Sequence, residues 1–283
     1  MEIISKIDVL RDTLKQARQD EQSLCFVPTM GNLHSGHLEL VKRAKQLGEL
    51  VVVSIFVNPL QFGANEDLDN YPRTLEADCQ ALQAEGVDFV FTPTVADMYG
   101  DNQKNHTQVI VPGLTECLCG GSRPGHFDGV ATVVTKLFNM VQPDFAIFGE
   151  KDFQQLQVIR KLTHDLALPI TIVGVPTVRE PSGLAKSSRN GYLTQDQKEQ
   201  AAQLYRCLQD CARELKHTGV DHKALEKGYI DKLNQAGFRT DYFEICDAHT
   251  LEPASAESHN LVICAAAFLG KTRLIDNIQV HRT

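Results

Sequence analysis

The hydrophobic positions in the first two thirds of the chain follow two periods. Leu50–Val57 is almost entirely apolar and rich in Val and Ile, which is typical of a strand buried on both faces of a parallel sheet. Leu38–Leu47 instead places apolar residues three apart, which predicts a helix. By the same criteria we predict further strands at Ser23–Pro28, Asp88–Phe91, Thr107–Val111, Asp144–Phe148 and Ile170–Val175, and helices at Thr74–Ala84, Val130–Met140 and Phe153–Leu166. This alternation predicts an α/β fold, a doubly wound parallel sheet with right-handed crossovers.

The alternation of strands and helices ends near Pro176. Two helices, Gln195–His217 and His222–Ala236, are followed by three strands with no helices between them: Thr240–Cys246, Leu261–Ala267 and Thr272–Val280. That order is typical of an α+β domain. We therefore predict a first domain over residues 1–177 and a smaller second domain over residues 178–283.

Composition and sequence pattern argue against several classes of protein. The 283 residues include 28 Lys and Arg against 36 Asp and Glu, and a net charge of −8 argues against a nucleic-acid-binding protein. The sequence has no apolar run of membrane-spanning length and no N-terminal secretory signal, so we expect no membrane partner. Its eight cysteines form no Cys-x-x-Cys pair, which predicts reduced thiols in a cytoplasmic protein and no zinc site.

The segment Pro28–His37 is the most informative for chemistry, because it follows the first strand and opens a helix. Ligands of open parallel sheets bind beyond the carboxyl ends of the strands, and a helix N-terminus there favours phosphate, so we expect free N–H groups at this point. His34 and His37 are three residues apart and share one face of the first helical turn. A surface pair or a metal-binding pair is the alternative. The Pro-Thr-Met-Gly context favours a pair of imidazoles that bind phosphate and stabilise charge developing at phosphorus.

Other catalytic motifs are absent from the sequence. Gly31 and Gly36 have the spacing of a P-loop, but His37 and Leu38 stand where Lys and Ser or Thr are needed. There is no Gly-x-Gly-x-x-Gly, no His-Glu-x-x-His and no Gly-x-Ser-x-Gly. A dinucleotide-binding enzyme, a zinc hydrolase and a serine hydrolase therefore have no support.

The sequence resembles a known family. His34–His37 resembles the HIGH signature of adenylyl-transferring enzymes, and Lys186–Arg189 resembles their KMSKS signature. Between residues 28 and 193 the chain is similar to the pantoate–β-alanine ligases, in the stretches Pro28–His37, Ser54–Phe62, Tyr71–Thr74, Arg123–Gly129, Phe148–Gln155 and Gly183–Leu193. The resemblance implies a Rossmann-like first domain and a C-terminal lid. It also implies that ATP joins pantoate to β-alanine through a pantoyl adenylate, with release of AMP and pyrophosphate.

The resemblance also implies which residues form the site. His37 is the expected acid or donor, His34 binds phosphate, and Lys151 reaches the α-phosphate as a compact cation. Gln61 and Gln155 are expected to bind pantoate, and Gln61 also β-alanine. The implied ATP-binding residues are Met30, Gly31, Asn32, Leu33, His34, Ser35, Gly36, His37, Gly149, Glu150, Lys151, Asp152, Val178, Lys186, Ser187, Ser188 and Arg189.

Several of these residues have a second interpretation. Asp152 could serve only as a helix N-cap, and Asn58 could only shape a turn before Pro59. Lys186 stands where the family usually has Met or Leu, so its side chain either contacts phosphate or points to solvent. The same choice between active site and ordinary structure remains for the apolar pair Met30 and Phe62 and for the loop pair Arg123 and His126.

The resemblance also implies a metal ion and a homodimer, and three other functions compete with the one that it implies. The family uses Mg²⁺ with ATP, and the chain shows no dedicated carboxylate cage, which suits a metal held by phosphates and water. A homodimer is implied by the resemblance alone. The rivals are a nucleotidyltransferase acting on a phosphorylated substrate, a truncated tRNA synthetase and a non-catalytic nucleotide-sensing module. Gln61 and Gln155, in place of a basic phosphate pocket, argue against the first of these.

Overall fold

The chain folds into two compact units. The computed structural model describes residues 1–63, 66, 68–100, 105–217, 219–255 and 257–282. The first unit comprises Met1–Pro112, Arg123–Glu150 and Val158–Pro176, and the second comprises Gly113–Ser122, Lys151–Gln157 and Thr177–Thr283.

The helices and strands of the described residues are numbered in chain order. Up to Ser122 they are β1 (Glu2–Ile4), α1 (Ile7–Gln19), β2 (Leu24–Thr29), α2 (Ser35–Leu47), β3 (Leu50–Ile55), α3 (Leu75–Ala84), β4 (Phe89–Phe91), α4 (Val95–Tyr99) and α5 (Leu118–Ser122). They continue with α6 (His126–Val141), β5 (Phe145–Gly149), α7 (Phe153–Asp165), β6 (Thr171–Val175), α8 (Gln195–Ala201), α9 (Gln203–Glu214), α10 (His222–Gln235), β7 (Arg239–Asp247), β8 (Asn260–Leu269) and β9 (Thr272–His281). Short 3₁₀ turns cover Pro59–Gln61, Glu150–Asp152 and Ser188–Tyr192.

The sheet of the first unit confirms the predicted α/β fold. Its six strands are parallel and lie in the order β1-β4-β3-β2-β5-β6. The chain moves outward in one direction from β2 and returns to start again at β5, so the strand order reverses between these two neighbours. In sheets of this kind the crevice at the carboxyl ends of such a pair is where ligands bind. The loops that begin at Met30 and at Glu150 both leave the sheet at this point.

Apolar residues cover both faces of this sheet, as a doubly wound fold requires. On one face, alternate strand residues such as Val27 and Val53 pack against Leu40, Val41 and Ala44 of α2, and the core extends to α3. On the other face, α6 packs against β2 and α1, with aromatic contacts made by Phe26, Phe138 and Phe148. Because strand side chains point alternately to the two faces, the near-continuous apolar strands seen in the sequence are satisfied on both sides.

Two of the predicted elements are wrong, and four elements of the described residues were not predicted, namely β1, α1, α4 and α5. Thr107–Val111 is not a strand: the N–H of Val109 donates to the hydroxyl of Thr132 on α6, and the segment pairs with none of the described strands. The helix predicted over Gln195–His217 is divided at Ala202 into α8 and α9. β1 and α1 were missed, although Leu10, Leu14 and Ala17 are buried at helical spacing.

The second unit is built on an antiparallel sheet in the order β7-β8-β9. One face, which includes Phe243, Ile245 and Ile263, packs with α9 and α10 to form a separate hydrophobic core. This is the α+β arrangement that the sequence predicts for the C-terminal part.

Two short segments that precede the predicted boundary at 177/178 belong to the second unit rather than to the first. Residues 113–122 and 151–157 belong to the second unit. The amide of Gln154 bonds the backbone of the first segment, and Asn277 of β9 donates to the carbonyl of Lys151 at 2.9 Å. These contacts tie both segments to the C-terminal sheet rather than to their neighbours in sequence.

Two further predictions concern thiols and the membrane. All eight cysteines are free thiols, as predicted from their spacing. Among the described residues, no helix is long and apolar enough to cross a membrane.

One glycine fixes how α6 meets the turn that carries Gln61. Gly129 lies on α6, and a Cβ there would come within 2.4 Å of the carbonyl oxygen of Leu60 and 2.7 Å of the backbone nitrogen of Gln61. Asn58 adds a hydrogen bond of 3.1 Å from its side-chain amide to the carbonyl of Gly129. The turn can therefore approach the helix only because residue 129 has no side chain.

We predict that Gly129→Ala destabilises the protein by about 1–3 kcal/mol, the usual cost of forcing a methyl group into a packed core. The matched control is Gly228→Ala at an exposed position of α10, where an added Cβ meets no atom within 4 Å. That variant should be stabilised by about 0.5–1 kcal/mol through helix propensity. Urea denaturation of both variants measures the difference, and equal midpoints would show that the contact at Gly129 does not constrain the fold.

Candidate active site

The loop between β2 and α2 turns sharply through two residues with left-handed backbone conformations. Gly31 has φ +79° and Asn32 has φ +50°. A Cβ on Gly31 would lie 3.0 Å from Oδ2 of Asp78 and 3.1 Å from Ile55, so only glycine fits without displacing a neighbour. Asp78, on α3, is 3% exposed and lies directly under the loop.

Most of the backbone N–H groups of this loop donate within the protein. Both oxygens of Asp78 accept from it, from Asn32 at 2.9 Å and from Leu33 at 2.8 Å. The other N–H donors with internal acceptors are Gly31 to Thr29 Oγ1, His34 to His37 Nδ1, Gly36 to His34 Nδ1 and His37 to the carbonyl of His34. The expectation of free N–H groups at this helix N-terminus is therefore wrong for these residues. An anion that approaches these residues would therefore meet side chains rather than unbonded backbone N–H groups.

The two histidines cap α2 and each other. Nδ1 of His34 accepts from the N–H of Gly36 at 3.1 Å, and Nδ1 of His37 accepts from the N–H of His34 at 3.3 Å. Their ring centroids are 4.1 Å apart. A ring nitrogen that accepts a hydrogen bond carries no proton, so these contacts assign the neutral tautomer with the proton on Nε2 to both rings. Each imidazole can then present an Nε2–H donor while its Nδ1 holds the loop.

Gln61 is oriented by a chain of buried hydrogen bonds. Its Oε1 accepts from the amide of Asn58 at 3.1 Å, and its Nε2 lies 3.2 Å from the sulfur of Met30. Asn58 is 1% exposed, and its Oδ1 accepts from the hydroxyl of Tyr99 at 2.7 Å. Because Oε1 of Gln61 is engaged and one N–H of Nε2 donates to the sulfur of Met30, the side chain can offer the second N–H of Nε2 as a donor. Burial also raises the pKa of Tyr99 well above its usual range, so this hydroxyl remains a donor at neutral pH.

Arg123 and His126 hold the backbone of Gln61. Nδ1 of His126 lies 2.8 Å from the carbonyl oxygen of Gln61, and Arg123 contacts the same oxygen at 3.4 Å. Two hydrogen bonds of 2.6 Å join the guanidinium of Arg123 to the carboxylate of Glu66. Burial alone would raise the pKa of Glu66, but the hydrogen bonds and charge of Arg123 outweigh burial and lower it. Both loop residues therefore support Gln61 rather than forming an unattached surface loop.

The two apolar candidates, Met30 and Phe62, are half-buried and lie beside this network. Met30 contacts the amide of Gln61, and Phe62 meets the ring of Tyr71 edge-on at 5.8 Å. Neither side chain is part of the fully buried core. Both therefore form an apolar wall next to Gln61 rather than core filling.

Lys151, Asp152 and Gln155 belong to the second unit. Lys151 lies in the 3₁₀ turn before α7, with Nζ 3.8 Å from Asp152 and 18% of its side chain exposed. Its backbone carbonyl accepts from Asn277, which fixes the turn. Gln155 is half-buried on α7, next to the buried Gln154.

The segment that resembles KMSKS forms a tight hairpin in the second unit. Arg179 pairs with Ala185 as an isolated bridge, and the N–H of Lys186 donates to the carbonyl of Val178 at 2.9 Å. The ammonium of Lys186 forms an ion pair with Glu180. The side chain of Lys186 is therefore held by a carboxylate in this structure rather than directed freely into solvent.

The residues after Lys186 are also arranged by local contacts. Ser187 caps the 3₁₀ turn Ser188–Tyr192 by accepting from the N–H of Arg189 at 3.3 Å. The buried side chain of Asn190 donates to the carbonyl of Ala185 at 2.9 Å. These bonds set the backbone of the predicted ATP segment, while Arg189 remains half-buried.

Comparisons with known proteins agree on one family. The profile of the family described as pantoate-beta-alanine ligase matches residues 2–279. The chain is 59% identical to the pantothenate synthetase of Idiomarina loihiensis over 94% of this chain and 95% of that protein, and 56% identical to that of Pseudomonas fluorescens over 99% and 98%.

Solved structures agree with the sequence relatives. The crystal structure of pantothenate synthetase from Thermus thermophilus matches with a TM-score of 0.91 and 44% identity, covering 99% of this chain and 100% of that one. The pantoate-beta-alanine ligase from Francisella tularensis, described as complexed with beta-gamma ATP and beta-alanine, matches with a TM-score of 0.82 and 35% identity, covering 98% of this chain and 97% of that one. The chain belongs to the pantoate–β-alanine ligase family.

In this ligase the predicted site residues fall into two groups. The first unit holds Met30 to His37, Gln61, Gly149 and Glu150, and the structure brings Met30 and Gln61 into contact. The second unit holds Lys151, Asp152, Gln155, Val178 and Lys186 to Arg189. Within each group, local hydrogen bonds fix most of the backbone that carries the side chains.

Sequence reasoning missed residues that hold this ligase's site in place. Asp78 had a detectable signal, because it is a carboxylate beside Cys79 and four residues before Leu82 on the buried face of a predicted helix. Tyr99 and Glu66 had no detectable signal in the sequence, because their partners Asn58 and Arg123 are 41 and 57 residues away along the chain.

Proposed function

We propose that this family member condenses pantoate with β-alanine at the expense of ATP, through an enzyme-bound pantoyl adenylate. The observation that carries the proposal is the pair His34 and His37, whose Nδ1 atoms accept from the loop so that each ring carries its proton on Nε2, as a donor to phosphate requires. The pair lies at the carboxyl end of β2, where the strand order of the sheet reverses. That is the position at which nucleotides bind in sheets of this type.

In the first step, a carboxylate oxygen of pantoate attacks the α-phosphorus of ATP. The bond from that phosphorus to the bridging oxygen breaks and pyrophosphate leaves. Negative charge develops on the phosphoryl oxygens, and the Nε2–H groups of His34 and His37 stabilise it. Lys151 supplies a cation to the α-phosphate, while Lys186 and Arg189 serve the outer phosphates. Lys186 must exchange its partner Glu180 for phosphate in order to do so.

Gln61 and Gln155 bind pantoate in this proposal. The fixed orientation of Gln61 supports it, because an amide whose oxygen is held by Asn58 and whose nitrogen contacts Met30 can offer its second N–H to a carboxylate or hydroxyl. Such a neutral donor orients the carboxylate without pairing it as strongly as a cation would. In the second step the amine of β-alanine, bound near Gln61, attacks the acyl carbon, loses a proton and displaces AMP.

The nucleotide is expected to bring magnesium with it. Among the described residues no group of three or more His, Cys, Asp or Glu side chains forms a metal cage. The oxygens of Asp78 already accept from Asn32, Leu33 and Thr74. We therefore expect a Mg²⁺ ion to be coordinated mainly by phosphate oxygens and water, where it offsets the negative charge of the phosphates. The homodimer that the family resemblance implies and the cytoplasmic location that the cysteine pattern predicts both stay predictions.

The second unit is proposed to act as a lid. The histidine pair belongs to one unit and Lys151, Lys186 and Arg189 to the other, so neither unit alone carries both ATP signatures. Bringing both to one ATP would exclude water, which matters because an acyl adenylate is readily hydrolysed.

The adenylate route makes a specific prediction about oxygen atoms. Pantoate labelled with heavy oxygen in its carboxylate should transfer one labelled oxygen to AMP for each amide formed. Mass spectrometry of the AMP measures the label, and its absence, or ADP as the product, would contradict the route.

The role of His37 predicts a slow first step in His37→Asn. Asparagine keeps a polar atom where Nδ1 caps α2 but removes the Nε2–H donor, so adenylate formation should slow about 10²–10³-fold while the protein stays folded. The control is His164→Asn on α7, whose side chain is 90% exposed. Rapid-quench assays of pyrophosphate with ATP and pantoate measure the step. A burst at the wild-type rate in His37→Asn would remove His37 from the proposed site.

A further inference from the structure

A buried carboxylate lies beneath the histidine loop, and its hydrogen-bond donors within the described part of the chain are all neutral groups. Asp78 accepts from the N–H of Asn32 and the hydroxyl of Thr74 through Oδ2, and from the N–H of Leu33 through Oδ1. Its 3% exposure means that these three donors replace water around the charge. It also stands in the first turn of α3, where the positive end of the helix dipole stabilises a carboxylate.

Two of the three hydrogen bonds to Asp78 hold the part of the loop whose backbone conformation is least favourable. Asn32 has a left-handed backbone, which costs a non-glycine residue free energy unless the surroundings hold it. Asp78 bonds the N–H of this residue and of the next one, immediately before His34. His34 in turn caps α2 and donates its N–H to His37. The direction of both imidazoles therefore depends on where Asp78 holds Asn32 and Leu33.

We propose that Asp78 is a positioning residue for the ligase reaction: by binding the N–H groups of Asn32 and Leu33, it fixes the loop that aims His34 and His37 at the reacting phosphate. The proposal rests on the assignment of the two histidines to ATP. It also explains why the carboxylate serves the reaction without touching substrate, since its oxygens are occupied by the loop and by Thr74.

A carboxylate is needed at position 78 because two N–H donors converge on it. An asparagine there would have the same size but one acceptor and one NH₂ group, so either orientation of the amide would set a donor against a donor. The loop would then shift, and a displacement of about 1 Å in a catalytic group can reduce the rate about 10²-fold. Substrate contacts outside the loop would remain.

The first test is Asp78→Asn, assayed for kcat and for KM with ATP and with pantoate. We expect kcat to fall about tenfold to a hundredfold, with a smaller change in either KM. Backbone amide exchange supplies a second readout: the N–H groups of Asn32 and Leu33 should be protected in the wild type and exchange faster in the variant. Wild-type kcat together with lost protection would overturn the proposal, and so would unchanged protection.

The matched control is Asp88→Asn. Asp88 also uses a carboxylate oxygen to accept a backbone N–H, that of Val51 at 2.8 Å, at the amino end of the sheet. It should cost less stability than Asp78→Asn, because the Oδ1 of asparagine can still accept this single N–H, and it should leave kcat within about twofold of the wild type, because it does not reach the histidine loop. An equal loss of kcat in both variants would show that Asp78 has only a structural role.

Thr74 keeps the proposal testable if Asp78→Asn does not fold. Thr74→Val removes the hydroxyl donor to Asp78, and Thr74→Ser restores it. Loss of one hydrogen bond should reduce kcat about fivefold in Thr74→Val, with recovery in Thr74→Ser. Identical kcat values in the two variants would overturn the positioning role. The separate assay of His37→Asn distinguishes the two failures: a slow His37→Asn with a normal Asp78→Asn rejects only the role of Asp78.

Discussion

The histidine loop of this ligase depends on a single constraint: most of its backbone N–H groups donate to acceptors inside the protein. Asp78, Thr29 and the Nδ1 atoms of His34 and His37 accept from them. A P-loop presents its N–H groups to phosphate, whereas in this loop they hold the backbone in place, and the proposed donors to phosphate are the imidazole Nε2–H groups. The hydrogen bonds to Nδ1 of His34 and His37 both hold the loop and place the proton of each ring on Nε2.

A second rigid element carries the pantoate side of the proposed site. Gln61 sits on a short 3₁₀ turn that approaches α6 because residue 129 is glycine. Asn58 fixes the side chain of Gln61, while His126 fixes its carbonyl. A residue held through both its side-chain oxygen and its backbone carbonyl loses little conformational freedom on binding substrate, which favours a precise geometry for the attacking carboxylate.

Local patterns made the fold and the central motif predictable. Residues close together in the sequence determine all three of the features that were predicted well: the apolar strands, the helix spacing of Leu38–Leu47 and the strand–helix junction at His34. The misses arose where a distant partner decides the outcome. Thr107–Val111 has strand-like residues but bonds to Thr132 instead, and residues 113–122 join the second unit through Gln154. Free N–H groups were expected at α2 because helix termini usually have them, and a carboxylate 46 residues away occupies one.

The most direct test of this account is the protonation state of the two imidazoles. In protein labelled with ¹⁵N-histidine, NMR at a pH where both rings are neutral should show His34 and His37 with the proton on Nε2 and an unprotonated Nδ1. Addition of a non-hydrolysable ATP analogue should shift the Nε2 signals and leave the tautomer unchanged. A proton on Nδ1 of either ring, or Nε2 signals that do not respond to the nucleotide, would contradict the claim that this loop recognises phosphate through its histidine side chains.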